Sequence, residues 1–431
     1  MDLFKKKGYG VVYNTHSGTI VAIHHLNTWQ ALTTNDEKSL CNEDMADLIN
    51  NKMWVNSFDE EFTDIKKKYE KRVHASNTLY LTMLPTEACN FACPYCFLWE
   101  KAPRTMNAQL YNDVLSYVDN YVNEKTNISY IMLNWFGGEP TLCHKQIHEF
   151  MTKLSEFANQ RNIKIGSSIT TNGYLLNKEI LRKLLIAGIK NFQVTVDGTR
   201  DAHNQGRPLK SGEGTYDVIM KNLTEIHSLD STFEFQMDIR CNFTRRTIKA
   251  VDDYIDIFMQ QFGADKRFKL YCRPVYEYET KDNDISKMAD DILSLEEGLL
   301  YQNRFAEKID SLRTDSIKRR MVDPLPQPTP CWCNAEIENH IIIGSDGSIY
   351  ICDTLTGHDH AIGSLKDGKI VINDSKNFRY NIFNDARTEK CMHCKLLPIC
   401  MGGCLRNRLE CAAQCYWTAD GIQNALMKQY G

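Results

Sequence analysis

The stretch TLYLTMLPTEACNFACPYC, Thr78 to Cys96, joins a β-rich run to three closely spaced cysteines, Cys89, Cys93 and Cys96. Runs of the same β-rich character recur downstream as YIMLNWF from Tyr130, KIGSSIT from Lys164, NFQVTV from Asn191, FEFQMDIRCNF from Phe233 and RFKLYCRPV from Arg267. The segments between them, Asn107 to Tyr121, Lys145 to Gln160, Lys178 to Ala187, Tyr216 to Leu229 and Thr247 to Phe262, are long enough for crossover helices. Strand and helix alternating in this way predict parallel βαβ units and an α/β fold. Six strands with five helices fall two strands short of a closed eightfold barrel. The expectation is an open, partial (β/α)6 TIM barrel over residues 77–322.

On the amino-terminal side, GVVYNTHSGTIVAIHH, Gly10 to His25, reads as a hairpin around Ser17-Gly18. Helical spacing follows in Ser39 to Lys52 and Phe58 to Arg72, and the basic run Lys66, Lys67, Lys68, Lys71 and Arg72 reads as a solvated helix face. Residues 1–76 are therefore expected to form a small α+β domain. On the other side, Asp282 to Arg320 is polar and reads as helix, and DPLPQPTP, Asp323 to Pro330, marks a boundary because proline continues neither helix nor central strand. Residues 323–431 follow as a cysteine-rich third domain with a hairpin signal, HIIIGSDGSIYIC, His340 to Cys352.

Composition narrows the function classes. A net charge of -4 offers no general basic field for a phosphate backbone, so no nucleic-acid partner is expected. No run approaches the roughly 18 apolar residues of a membrane span, and the start of the chain lacks an export signal, so no membrane partner is expected and a cytoplasmic location is. In a reducing compartment the 16 cysteines read as metal ligands or reactive thiols rather than disulfides. Nine of the sixteen lie from Cys331 to Cys415, which implies more than one metal centre. Cys41, Cys143, Cys241 and Cys272 fit no ligand spacing and read as small buried hydrophobes.

Cys89, Cys93 and Cys96 follow C-x3-C-x2-C. Three thiolates on a tight loop can hold three irons of a [4Fe-4S] cluster and leave the fourth iron without a protein ligand. A structural zinc ion would want four ligands. With Tyr95 directly before the third cysteine, the chain resembles a radical S-adenosylmethionine enzyme. The resemblance implies that S-adenosyl-L-methionine binds at the open iron through its amino and carboxylate groups. It extends to FGGEP, in which Gly137 and Gly138 let backbone approach the ligand, Glu139 accepts from its ammonium, and Pro140 ends the motif. It continues through TTNG and VDGTRDAHNQGR, where Asn172, Asp197 and Arg207 stand at positions that the family places near the ribose and carboxylate of the cofactor. Asn242 and Arg273 close the fifth and sixth strands.

The carboxy-terminal run CMHCKLLPICMGGC, Cys391 to Cys404, with Gly347, Cys352 and Cys333 upstream, is similar to the SPASM extension of that family. The similarity implies two auxiliary [4Fe-4S] clusters. Cys333, Cys352 and Cys404 would hold the first, with Cys331 open as its fourth ligand. Cys391, Cys394 and Cys400 would hold the second, with Cys411 or Cys415 open as its last. A zinc ribbon is the other reading of the C-x2-C pair. The family acts mostly on peptides and proteins, which implies maturation of a ribosomally synthesised precursor peptide by a thioether or carbon-carbon crosslink. The leader would be captured by the amino-terminal domain, and a flavodoxin or ferredoxin would donate electrons. The alternatives are formylglycine formation, as in anaerobic sulfatase-maturating enzymes, where Asp353, directly after Cys352, would serve as the base, and another peptide-modifying radical reaction such as epimerisation or decarboxylation. A zinc protein or a simple electron carrier would require all the barrel motifs to be coincidental.

Overall fold

The structure, a computed structural model, describes residues 7–34, 36, 40–54, 57–98, 102–276, 285–313, 325–373, 381–410 and 415–430. Parts of the polar stretch 282–320, Asp323 and Pro324 of the proline-rich boundary, and Cys411 lie outside the described residues. The chain divides into two compact units. One comprises residues 1–76, 323–338 and 379–431, the other residues 77–322 and 339–378.

In the first unit, β1 (Gly10–Tyr13) and β2 (Ile20–Ile23) pair antiparallel with Gly10 opposite Ile23. Their turn is closed by Asn14, whose Oδ1 accepts from the backbone N–H groups of His16 and Ser17, an arrangement that Asn supplies readily. Helices Leu26–Thr34, Asn42–Asn50 and Phe58–His74 follow. The last is capped by Ser57, which accepts from Glu60 N, and its acidic first turn and basic last turn both suit the helix dipole. Ile65, Tyr69 and Val73 recur every four residues and are buried, while Lys66, Lys67 and Lys68 are exposed. Cys41 departs from expectation. It is exposed, and its sulfur accepts from Asp44 N as the cap of the second helix.

The second unit is built on a ten-stranded sheet. Six parallel strands run in sequence order: β3 (Thr78–Met83), β4 (Tyr130–Trp135), β5 (Lys164–Thr171), β6 (Asn191–Thr195), β7 (Gln236–Phe243) and β8 (Phe268–Pro274). Helices Ala108–Glu124, His144–Gln160, Lys178–Ile186, Tyr216–His227 and Ile248–Phe262 connect them. Burial alternates along much of each strand, with successive residues buried at the carboxyl ends of β3, β6 and β7. Leu79, Leu81, Ile131, Leu133, Phe192, Val194, Met237 and Ile239 are almost wholly buried, as expected where parallel strands are covered by crossover helices. Among the described residues β8 pairs only with β7, so the sheet stays open there. Helix Leu295–Leu312 packs on β8, started by a reciprocal Ser294–Glu297 capping box.

The free edge of β3 takes up part of what the sequence assigns to a separate third domain. β9 (His340–Ile343) pairs parallel with β3, and β10 (Ser348–Tyr350), β11 (Gly363–Lys366) and β12 (Lys369–Ile372) extend the sheet antiparallel. An unpaired strand edge leaves backbone groups unsatisfied, and β9 satisfies them. No helix among the described residues is long and apolar enough to cross a membrane.

Candidate active site

β3 ends at Met83, and the loop that follows is held from two sides. From β4, Gly138 N donates to Thr86 O and Glu139 N to Ala88 O, each at 2.9 Å. From the segment after residue 206, Ala92 N donates to Pro208 O, while Lys210 N donates to Asn90 O. Arg104 binds Glu87 through Nε at 2.8 Å and Nη2 at 2.6 Å, and Ser345 donates to the other Glu87 oxygen. Each such bond contributes about 0.5–1.5 kcal/mol net, so the cysteine loop is set before anything binds to it. Cys93 is buried, and Cys89 and Cys96 are half-buried.

The three cysteines line a cavity of about 340 Å³ at the carboxyl end of the parallel strands, where (β/α) folds place their sites. Burial pushes the Cys89 thiol up to about 11, with Glu139, Cys93 and Cys96 adding to the shift and Phe91 N opposing it. Phe97 and Phe136 stack at 6.0 Å on an apolar wall.

Gly137 and Gly138 line the cavity, and close backbone approach also requires glycine at both positions. A Cβ on Gly138 would stand 2.2 Å from Ala88 O, and one on Gly137, whose φ is +114°, 2.6 Å from Thr86 O. The glycines make room for the backbone that carries the cysteines. Glu139, 1% exposed, accepts through Oε1 from Thr141 N at 2.9 Å and Thr171 Oγ1 at 2.6 Å, and through Oε2 from Asn172 N at 2.7 Å. Burial raises its carboxyl above the ordinary range, and these donors oppose the rise. Glu139 thereby ties the β4 loop to the β5 loop. Asn172 donates to Asn90 Oδ1 at 2.8 Å and holds Tyr174 N.

Tyr95 links the remaining motifs. Its hydroxyl donates to Asp197 Oδ2 and accepts from Arg207 Nη1 at 2.7 Å. Asp197 Oδ1 accepts from Asn242 N at 2.8 Å, and Arg207 lies 3.9 Å from Asp197. Burial raises the Asp197 carboxyl, with Arg207, Tyr95 and Asn242 opposing. His203, wholly buried, accepts from Asp197 N through Nδ1 and pairs with Thr215 through Nε2, each at 3.0 Å. Arg207 lines the cavity, and its Nε is buried with no partner. Asp197 and Pro140 are not on the cavity wall; Asp197 acts through Tyr95 and Asn242, and Pro140 opens the short helix Pro140–Cys143. Arg273 is not on the wall either, and it donates to Gln302.

The wall residues not singled out as site residues from the sequence include Gln193 and Thr195 on β6 and Arg240 and Asn242 on β7, the last noted only as a strand end. The signal was the period of two in NFQVT and MDIRCN, where the polar set faces the barrel interior and the apolar set the helices. Asp353 and Thr354 also line the cavity. Asp353 keeps accessible surface, but the enclosing protein raises its carboxyl, with backbone donors and Arg240 opposing. Cys143, Cys241 and Cys272 are buried, as expected.

Residues 83–255, which include the cysteine loop, Glu139, Asn172, Asp197, Arg207 and Asn242, match the family described as the radical SAM superfamily. Residues 83–255 therefore carry a radical SAM domain. Such a domain takes a [4Fe-4S] cluster and S-adenosyl-L-methionine. Three thiols on one preset loop, a cavity within the roughly 300–1,000 Å³ of ligand sites and the unpartnered Arg207 Nε fit both groups. Among the described residues no three His, Cys, Asp or Glu side chains converge as a single-ion site requires.

The chain is similar to the cysteine-type anaerobic sulfatase-maturating enzyme of Clostridium perfringens, with 26% identity over 337 residues, 75% of this chain and 87% of the relative. The structure of native anSMEcpe with bound AdoMet matches with a TM-score of 0.56 at 21% identity, over 81% of this chain and 96% of the other. Streptococcus suis SuiB bound to precursor peptide SuiA matches with a TM-score of 0.51 at 14% identity, over 95% and 98%. The two structural likenesses are likenesses of fold.

In the first unit, Cys391, Cys394, Cys400 and Cys415 share one electrostatic neighbourhood. Burial pushes the Cys400 thiol up to about 11, reinforced by Cys391, Cys415 and Cys394. Burial also raises Cys391, with Cys394 and Cys415 adding to the shift and Lys390 and Arg408 opposing it. Cys331 is buried, and that burial raises its thiol, with Glu336 adding and Arg72 opposing.

Proposed function

We propose that this chain is a radical SAM peptide maturase that installs a thioether or carbon-carbon crosslink in a ribosomally synthesised precursor peptide. When bound, the cluster and S-adenosyl-L-methionine supply reductive cleavage of a carbon-sulfur bond and a 5'-deoxyadenosyl radical able to abstract substrate hydrogen. The residues of the chain hold and orient. Cys89, Cys93 and Cys96 bind three irons, while Tyr95, Asn172 and Arg207 position the cofactor, supported by Gly137, Gly138, Glu139, Pro140 and Asp197. Gln193, Thr195, Arg240 and Asn242 face the substrate side, and Phe97 and Phe136 exclude water. Cys333, Cys352 and Cys404, with Cys331, hold a first auxiliary cluster. Cys391, Cys394, Cys400 and Cys415 hold a second, a grouping that the shared neighbourhood of these four thiols supports. A flavodoxin or ferredoxin supplies electrons.

The observation that carries the reading is in the amino-terminal hairpin. β2 pairs with β1 on one edge, and among the described residues no strand covers the other. A groove of about 250 Å³ lies beside it, lined by Val21 to His25 and by Asp44, Asp47, Leu48 and Asn51. A leader peptide added there as a strand would gain backbone hydrogen bonds from β2 and side-chain contacts from the helix Asn42–Asn50. The fold likeness to SuiB, which extends over 95% of the chain, also supports the reading.

Formylglycine formation is the second reading, favoured by Asp353 on the cavity wall and by the relative from Clostridium perfringens. Mass spectrometry separates the two. Peptides encoded by short neighbouring reading frames and a sulfatase-derived cysteine peptide are incubated with the reconstituted enzyme, cofactor and dithionite. Loss of two hydrogens with a crosslinked fragmentation pattern is the expected outcome. An aldehyde on the sulfatase peptide alone would replace the first reading by the second, and no change in either peptide would reject both.

A further inference from the structure

Among the described residues two arginines, Arg207 and Arg240, line the barrel cavity, and they differ in how their charge is met. Arg207 lies 3.9 Å from Asp197 and donates to Tyr95. Arg240, half-buried on β7, donates through Nε to Asn242 Oδ1 at 2.8 Å. Tyr271, its register partner on β8, gives its own proton to Gln193 and leaves its oxygen to accept from Arg240. Both acceptors are neutral, so they orient the guanidinium without compensating its charge. The carboxylates around it are engaged elsewhere or stand apart. Asp197 accepts from Tyr95 and Asn242, and Asp238, two positions earlier on the same face of β7, stands opposite Lys269 in the strand pairing. Asp353 shares the cavity wall. The field of Arg240 reaches Asp197 and Asp353, but among the described residues neither they nor Asp238 forms an ion pair with it.

A partly enclosed guanidinium with no counter-ion is a ready site for a carboxylate, since its planar fork matches the two oxygens and water-poor surroundings strengthen the pair. Phe97, Leu98, Phe136, Pro274 and Val275 make much of the wall apolar. In the sheet β7 is separated from β3, whose loop carries Cys89, Cys93 and Cys96, by β4, β5 and β6. Arg240 thus stands on a different part of the wall from the thiols. We propose that Arg240 is a specificity-determining residue that binds a carboxylate of the substrate peptide, from an Asp or Glu side chain or from the carboxy terminus, and so fixes the segment to be modified inside the cavity. The inference rests on the peptide-maturase reading. The hydrogen-bonded series Arg240, Asn242, Asp197 and Tyr95 joins this subsite to the cysteine loop, so a carboxylate held there would have a set position relative to that loop.

The test uses the full-length reconstituted enzyme and the peptide from a neighbouring reading frame that it modifies in the mass-spectrometric assay. That peptide is remade with each Asp changed to Asn, each Glu to Gln, and the carboxy terminus amidated, one change at a time. Two quantities are read: kcat/KM for the modified product, and peptide affinity in the presence of S-adenosyl-L-methionine without reductant. With the parent enzyme one member of the series is expected to lose roughly 10- to 100-fold in both, and its identity separates side chain from terminus. Arg240→Gln should bind the acidic peptide as weakly as that amide and no longer tell the two apart, and Arg240→Lys should discriminate less than the parent because the fork is lost. Should Arg240→Gln fail to retain iron, Arg240→Lys decides, and discrimination equal to the parent's counts against the inference. Amide variants that all behave like the acidic peptide, or discrimination that survives in Arg240→Gln, would overturn the inference alone. So would a loss of S-adenosyl-L-methionine affinity in Arg240→Gln with peptide discrimination intact, which would assign the residue to the cofactor. If the parent modifies no peptide, the maturase reading falls and the inference with it.

Discussion

The two cysteine groups are built on different physical foundations. The loop of Cys89, Cys93 and Cys96 hangs from β3 and is tied by backbone hydrogen bonds to the β4 loop and to Pro208 and Lys210. The group of Cys391, Cys394, Cys400 and Cys415 sits among 3-10 turns and very short helices. Met401, Gly402 and Gly403 adopt left-handed φ values in succession, and this conformation costs a non-glycine residue such as Met401 energy. The first site is a rigid holder. The second is a chain wound around its thiols, in which a bound cluster would itself contribute folding energy.

The sharpest way to break this contrast is the triple substitution Cys89→Ala, Cys93→Ala and Cys96→Ala. It should abolish cofactor cleavage, measured as 5'-deoxyadenosine, while iron analysis still finds the clusters of the other cysteines. Gly138→Ala comes next. The added methyl must push against Ala88 O, and displacing the loop by about an ångström should lower cofactor cleavage on the order of 10²-fold with the barrel still folded by circular dichroism. Removing iron with a chelator tests the other side of the comparison. Hydrogen exchange should rise sharply in residues 391–410 and little in β3 to β7, whose pairing depends on no metal.

The smallest effects compare two tyrosines that serve buried carboxylates. Tyr95→Phe takes a donor from Asp197, and Tyr69→Phe takes one from Glu336, each leaving an acceptor short by about 1–3 kcal/mol. The first should weaken S-adenosyl-L-methionine binding roughly tenfold in calorimetry. The second should leave that affinity unchanged and lower the thermal midpoint by a few degrees, roughly 2–4 °C for each kcal/mol in a large domain.

Much of the barrel could be read in advance because its signals are local. The runs TLYLTM, YIMLNW and NFQVT carry their strand pattern within a few residues, and the helices between them announce themselves by length and apolar spacing. The inward polar set of β6 and β7 was equally local but was overlooked, since Gln193 and Arg240 gain meaning only when strand alternation is referred to a barrel interior. Glycines 137 and 138 were marked correctly as special positions, yet what they approach is Thr86 and Ala88, some 50 residues earlier in the chain.

From its residues alone this chain already specified three thiols within eight positions, a parallel strand-helix alternation and a second, denser cysteine region, because covalent spacing and hydrophobic period act over short distances. Tertiary structure decided that His340–Ile343 would complete the edge of β3 and that Asp353 would open onto the cavity. Those outcomes depend on which strand edge is left unpaired and on which distant segments share a core. No local pattern encodes them, since they follow from satisfying backbone groups and burying apolar surface across the folded chain.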